Sequence, residues 1–151
     1  MITAEQVMNS DVITVQKDTP ILEAIELMLQ KEISGMPVVD DDDMNLVGVL
    51  SETDVVSLIY NTVYKTESLE KKKVRHYMTE RTVCFDKDDN LLDVCDFLAK
   101  NLFRRVPITS AGKVVGIISV PDILKFTLKV YRERESASAE VDLRKGDPEN
   151  W

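Results

Sequence analysis

The sequence predicts an α+β protein built from two β-α-β-β-α units that repeat one another and pack about a pseudo-two-fold axis. The first observation is a recurring stretch, because VGVLSETD at 47–54 returns as VGIISVPD at 115–122. The second is that both stretches follow the same succession of apolar patterns, a strand, a helix and a hairpin. The third is size: a unit of about fifty residues is too small to bury a sufficient core alone, so the two units should share an interface.

Composition and charge limit the possible functions. The 151 residues are 44% apolar and 30% charged, which is typical of a soluble globular protein, and no apolar run is long enough to span a membrane. The start, MITAEQVMNSDV, lacks the basic and apolar segments of a secretory signal, which predicts a cytoplasmic protein. The net charge of -8 argues against nucleic acid and membrane surfaces as partners. It leaves room for a small anion held by a local pair of arginines.

No metal, disulfide or catalytic set is expected. Cys84 and Cys95 lie in apolar patterns, where cysteine serves as a small hydrophobic residue. His76 is the only histidine, and it has no partner at the spacing of metal ligands. The acidic run at 40–43 lacks the alternation and the glycine bend of a calcium loop, so we interpret it as a solvated turn.

The repeat becomes visible when the sequence is compared with itself at a shift of 70 residues (8 to 78). The shift superposes Met8 on Met78, Leu22 on Leu92 and Pro37 on Pro107. Beyond the acidic turn the register changes by two residues, which superposes Ser51 on Ser119 and Asp54 on Asp122. Turns tolerate such insertions. The predicted divisions are a first unit at 1–65, a linker at 66–77, a second unit at 78–135 and a polar, mobile tail at 136–151.

Each unit opens with a short strand, at 11–15 and at 82–86. The helix after it is predicted over 19–32, with Thr19 as N-cap and Pro20 at the first helical position, and over 89–101, with Asp89 as N-cap. Residues at helical spacing predict one buried stripe on each helix: Leu22, Ile25 and Leu29, then Leu92, Cys95 and Leu98.

Two strands joined by a turn come next, MPVVD with NLVGVLS and VPITS with KVVGIIS, and a last helix begins at Asp54 or Asp122. Ser-x-x-Asp before a helix is a capping box, so each box alone indicates a helix start rather than a binding site. Apolar residues of the last helices that lie off the sheet-facing stripe predict an association surface: Ile59, Tyr60, Val63, Phe126, Val130 and Tyr131.

Over residues 7–130 the sequence resembles a tandem pair of CBS domains, the cystathionine-β-synthase-type regulatory module. The resemblance is carried by Met8 and Met78, by MPVVD and VPITS, and by the two Val-Gly…Ser-x-x-Asp stretches. It implies an adenosine-containing ligand, such as AMP, ADP, ATP or S-adenosylmethionine, in the cleft between the repeats, with no required cofactor. It also implies a stand-alone, non-catalytic regulatory protein that forms a homodimer and relays ligand binding to a separate partner protein.

By the same resemblance, Asp122 accepts the ribose hydroxyls with help from Ser119, while Arg104 and Arg105 face the phosphates. A carboxylate at a helix N-terminus stays ionised, and its two oxygens match two vicinal hydroxyls. The purine pocket is expected from the first strand and from the residues before Pro37. The full set for this site is Ile13, Ile33, Ser34, Gly35, Met36, Arg104, Arg105, Ser119 and Asp122.

A second, symmetry-related site is implied with Ser51, Asp54, Val83, Phe103 and Val106. We rank the Asp122 site first, because Arg105 stands where Gly35 stands in the first unit and because Ser34 brings no charge for a phosphate. An alternative stays open, a ligand-free structural scaffold that forms homodimers or binds partners. An enzyme is not expected, since no nucleophile-base pair or phosphate-binding glycine loop is visible.

Overall fold

The computed structural model describes residues 1–40, 43–65, 68–80 and 82–145, with side chains described as far as residue 139. The first repeat contains β1 (Val15–Gln16), α1 (Ile21–Lys31), β2 (Gly35–Val39), β3 (Leu46–Ser51), α2 (Glu52–Val56) and α3 (Leu58–Val63). The second repeat contains β4 (Phe85–Asp86), α4 (Leu91–Lys100), β5 (Arg105–Ser110), β6 (Lys113–Ser119) and α5 (Val120–Lys145). A short 3₁₀ turn precedes each repeat, at Ala4–Gln6 and at Val74–His76.

The predicted α+β class and its repeated units are confirmed. Each repeat forms a three-stranded sheet, in the orders β1-β2-β3 and β4-β5-β6. In both sheets the first strand runs parallel to the second, and the hairpin that follows is antiparallel. The same connections in both halves give the molecule its internal pseudo-symmetry.

The two repeats exchange the segments that precede them. Val74, which leads into the second repeat, is fully buried in the core of the first, and its N–H donates to the Thr19 carbonyl at 2.9 Å. Ala4, at the start of the chain, is buried in the core of the second repeat, and its N–H donates to the Asp89 carbonyl at 2.9 Å. Each core is therefore completed by a segment from the other side of the molecule. Although each repeat is contiguous in sequence, its hydrophobic core is not, and we call this arrangement interleaved packing.

The recurring Val-Gly pair has its reason in this exchange. A Cβ on Gly48 would lie 2.7 Å from the carbonyl oxygen of Thr79, and one on Gly116 would overlap the side chain of Met8. The exchanged segments approach β3 and β6 at these glycines, and the repeated methionines, Met8 and Met78, pack against them. Glycine is required at both positions because a side chain would push the exchanged segment away.

The first strands are shorter than predicted, beginning at Val15 and Phe85 instead of at 11 and 82. The reason is again the exchange. Asn9 forms a bridge with Ile117 of one sheet, whereas Val15 pairs with Val38 of the other. The residues between them cross from sheet to sheet and line the space where the sheets meet.

The predicted phase of the helical stripes is wrong in part. The buried residues are Ile21, Ala24 and Met28 in α1, and Leu91, Val94 and Leu98 in α4. The exposed fractions of Leu29 and Leu92 are 74% and 70%, and Leu22 is also exposed. The first apolar residue of each helix already faces the sheet, so the stripe begins one residue earlier than predicted.

The predicted N-caps also shift by one residue. The N-cap of α1 is Pro20, and that of α4 is Asn90, whose side chain accepts a hydrogen bond from the Leu92 N–H at 3.0 Å. The carboxylate of Asp89 accepts instead from the N–H of Asp86 at 2.8 Å. Asp89 therefore shapes the turn before the helix rather than its first turn.

The last helices of the two repeats differ in length. In the first repeat Ser57 separates α2 from α3, whereas α5 continues to Lys145, beyond the end predicted at 135. The extension at 136–145 contains two Ala together with Glu, Leu, Arg and Lys, all of which favour helix, and neither Gly nor Pro follows Pro121 before Gly146. The remainder of the predicted tail, including Trp151, lies outside the described residues.

Candidate functional site

Two cavities lie where the repeats meet, one beside the start of α5 and the other beside the start of α2. The first cavity has a volume of about 550 Å³ and the second about 470 Å³. Both volumes fall in the range of small-molecule pockets. Each cavity takes residues from both repeats, so each depends on the way the two repeats pack together.

The first cavity brings together seven of the nine residues predicted for the Asp122 site. They are Ile13, Ile33, Gly35, Arg104, Arg105, Ser119 and Asp122. Met36 does not line it, because its side chain is in the core of the first repeat and only 1% exposed. Successive side chains of a strand point to opposite faces, so Gly35 and Met36 cannot both face the cavity. Ser34 lines the second cavity instead.

Asp122 both caps its helix and lines the first cavity. Its Oδ2 accepts hydrogen bonds from the N–H and the hydroxyl of Ser119, each at 2.8 Å. In the part of the chain that the structure describes, no group donates to its Oδ1. The capping box therefore fixes the carboxylate through one oxygen and leaves the other available, so capping and ligand binding are compatible.

The second cavity brings together all five residues predicted for the symmetry-related site: Ser51, Asp54, Val83, Phe103 and Val106. Its capping box repeats the first, because the N–H of Ser51 donates to Asp54 Oδ2 at 2.9 Å and the Ser51 hydroxyl to the same oxygen at 3.0 Å. Here, however, the hydroxyl of Thr79 also donates to Oδ1, at 3.3 Å. Both oxygens of Asp54 thus have a protein donor.

The second cavity also has a more aromatic wall. The ring of Phe103 stacks on that of Phe97, with centroids 5.5 Å apart, and Leu102 lines the same side. Our sequence interpretation missed Phe97, Leu102 and Thr79. Thr79 follows Met78 directly, and its counterpart Asn9 lines the first cavity, so the repeat itself offered a signal for this pair.

Arg105 lies between the two cavities and lines both. Its Nη2 donates to the Ser34 hydroxyl at 2.7 Å and its Nη1 to the Gly35 carbonyl at 3.3 Å. Arg105 pairs with Ser119 in the second sheet, as Gly35 pairs with Ser51 in the first, so the two positions are structurally equivalent. Through these two hydrogen bonds the guanidinium crosses from the second repeat to the first.

Other reactive groups lie away from this arrangement. Cys84 is exposed, which departs from its predicted core position, and burial raises the pKa of the half-buried Cys95 thiol. The described residues contain no group of three or more His, Cys, Asp or Glu side chains that could hold a metal ion. Among the helices that the structure describes, none is both long and apolar enough to cross a membrane.

Comparison with known proteins identifies the repeat. The family model described as "CBS domain" matches twice, at residues 4–61 and at 74–129. The chain belongs to the CBS domain family. The predicted resemblance to a tandem CBS pair is thereby confirmed, and the crossed start of each repeat falls inside the matched ranges.

Relatives and solved structures agree with this assignment. The chain is 32% identical over 120 residues to an uncharacterised protein of Methanocaldococcus jannaschii, covering 80% of this chain and 41% of that protein. It is 37% identical over 123 residues to the inosine-5'-monophosphate dehydrogenase of the same organism, covering 81% and 23%. Among solved structures, CBSX2 of Arabidopsis thaliana in complex with AMP matches with a TM-score of 0.75 and 30% identity, covering 87% of this chain and 99% of that one. The chain thus spans less than half the length of the first two relatives.

Proposed function

We propose that this CBS pair is a non-catalytic regulatory module that binds an adenosine-containing ligand in the first cavity. The observation that carries the proposal is the Asp122 carboxylate, whose Oδ2 is held by the capping box while its Oδ1 is available to a ligand. The cavity that Asp122 lines is also lined by two arginines. The similar CBSX2 was solved in complex with AMP, which supports this ligand class. AMP is therefore the ligand chosen for testing.

Each part of AMP has a matching surface in this cavity. The ribose diol would donate to Asp122, whose Oδ1 has lone pairs to offer. The purine would lie against Ile13 and Ile33, over the space left by Gly35. The phosphate would meet Arg104 and Arg105, whose planar guanidinium groups suit phosphate oxygens.

Regulation requires that the ligand favour one arrangement of the protein over another. Both cavities lie between the repeats, so a bound nucleotide would bias how the repeats sit against each other. We propose that this change is relayed through a homodimer to a separate partner protein. Exposed apolar residues on the last helices, Ile59, Tyr60, Val63 and Tyr131, offer the association surface. Phe126 packs partly buried against the core of the second repeat and Val130 is half-buried, so these two predicted residues offer less exposed area to that surface.

Thermal unfolding with and without AMP tests the ligand assignment. At an AMP concentration of about 100 times Kd, the folded protein should gain about 2.7 kcal/mol. Asp122→Ala should abolish this gain, because the ribose loses its acceptor. Asp54→Ala is the matched control, since it removes the same capping carboxylate from the other repeat, and it should keep most of the response.

A second candidate function is a ligand-free scaffold. It is favoured by the contacts of Arg105, which join the repeats across the seam as a ligand would. The same unfolding experiment separates the two functions. If no adenosine compound stabilises the wild-type protein, the scaffold is supported and the sensor is excluded.

A further inference from the structure

The two cavities share their positive charges. Arg104 and Arg105 line both of them. The other charged residues in the described linings are carboxylates: Asp11 and Asp122 in the first cavity, Glu52 and Asp54 in the second. Within the described linings, neither cavity therefore has a cation of its own. A phosphate bound on one side would draw on the same two arginines as a phosphate on the other side.

Arg105 is the arginine for which this sharing has the larger effect. It is half-buried, and the partners of its guanidinium are neutral groups, the Ser34 hydroxyl and the Gly35 carbonyl. A partly desolvated cation with neutral partners is stabilised strongly by an anion. An anion in either cavity should therefore attract the guanidinium, and one guanidinium cannot fully neutralise phosphates on both sides.

Arg104 cannot take over this role fully. Its side chain is exposed, so water and salt screen its charge. Its backbone is also fixed, because its carbonyl accepts the N–H of Val120 at 2.9 Å. When Arg105 is engaged by a phosphate in one cavity, the described lining of the other cavity keeps its two carboxylates and only the exposed Arg104 as a cation.

We infer that the two cavities bind anionic nucleotides antagonistically, with Arg105 as the shared determinant. This inference rests on the proposed function and adds to it the ligand class of the second cavity. With a nucleotide phosphate in the first cavity, the second accepts an uncharged nucleoside such as adenosine and disfavours a second nucleotide. The exposed apolar side chains of Val83, Leu102 and Phe103 suit such a ligand, because they offer contact area without charge.

Titration of the full-length protein with AMP and with adenosine, followed by calorimetry and native mass spectrometry, tests the inference. Loss of a charge-assisted hydrogen bond to the phosphate should weaken the second AMP relative to the first by roughly tenfold or more. Adenosine should show a much smaller difference between its two steps. Protein already holding one AMP should accept one adenosine, which gives a complex with one of each per chain.

One variant distinguishes shared charge from unequal cavities. Arg105→Gln removes the charge but keeps a polar side chain, so it should weaken the first AMP and reduce the difference in affinity between the two binding steps.

Two results with the wild-type protein would overturn the inference but leave the proposed function standing. One is two AMP molecules bound with equal affinity, and the other is a difference in affinity between the two binding steps that is as large for adenosine as for AMP. If the difference in AMP affinity between the two binding steps is unchanged in Arg105→Gln, Arg105 is excluded as the shared determinant. If neither compound binds, the proposed function is itself wrong, so failure of the inference and failure of the function are distinguishable.

Discussion

Val74→Ala tests whether the exchanged segments hold the two repeats together. Val74 is 0% exposed, in the core of the first repeat, although it leads into the second. Removing two methyl groups should cost about 1.6 kcal/mol in transfer free energy. The cavity left behind should raise the loss of unfolding free energy to roughly 2 to 3 kcal/mol. Because each core contains a segment from the other side, the whole chain should still unfold in a single transition.

Urea unfolding followed by circular dichroism measures this change. Val56→Ala is the matched control, since it removes the same two methyl groups from a residue that is 66% exposed. The control should stay within about 0.5 kcal/mol of the wild-type protein. Equal effects of the two substitutions, or separate transitions for the two repeats, would refute the interleaved packing.

Two further predictions follow from the glycines and the cysteines. Gly48→Ala should lower the free energy of unfolding by about 2 kcal/mol or more, measured by the same urea titration, because its Cβ would lie 2.7 Å from the Thr79 carbonyl oxygen. A wild-type midpoint would contradict that close approach. For the cysteines, exposed Cys84 should react with a thiol reagent in the folded protein well before Cys95, whose pKa burial raises. Because its pKa is raised, Cys95 has a smaller thiolate fraction at a given pH than an ordinary cysteine. Equal rates of modification in the Cys84→Ser and Cys95→Ser variants would contradict this prediction.

The elements of this fold could be predicted because they depend on local chemistry. Apolar periodicity and turn residues placed the helices and hairpins of both repeats in the right order. The repeat itself led to the two Ser-x-x-Asp boxes and hence to Asp54 and Asp122. Both residues line the cavities that the structure contains.

The exchange between repeats could not be predicted because it depends on contacts distant in sequence. Nothing in the pattern around Val74 indicates which of two similar cores it enters. The same limit explains the phase error in α1, where Leu22 and Ile21 are both apolar and only the docked sheet selects Ile21. The predicted place of Met36 in the ligand site also fails for this reason, since strand alternation decides which face a residue takes.

The contacts that Arg105 makes in the structure were not predicted. The family resemblance implied a phosphate contact for Arg105, and comparison of the two repeats placed it at the position equivalent to Gly35. Its hydrogen bonds to Ser34 and Gly35 depend on how far apart the two repeats lie. Local sequence patterns do not determine that distance. The two cavities are connected through this side chain, a feature that only the three-dimensional arrangement reveals.

The most direct test of the central claim compares AMP with 2′-deoxy-AMP by calorimetric titration. The two ligands differ by the 2′-hydroxyl, which is one of the two ribose hydroxyls that the Asp122 carboxylate is proposed to bind. We predict that AMP binds to the wild-type protein and that removal of the hydroxyl weakens binding by roughly tenfold or more. In Asp122→Ala the two ligands should bind equally weakly. Equal affinities for both ligands in the wild-type protein would contradict the proposal that Asp122 holds the ribose.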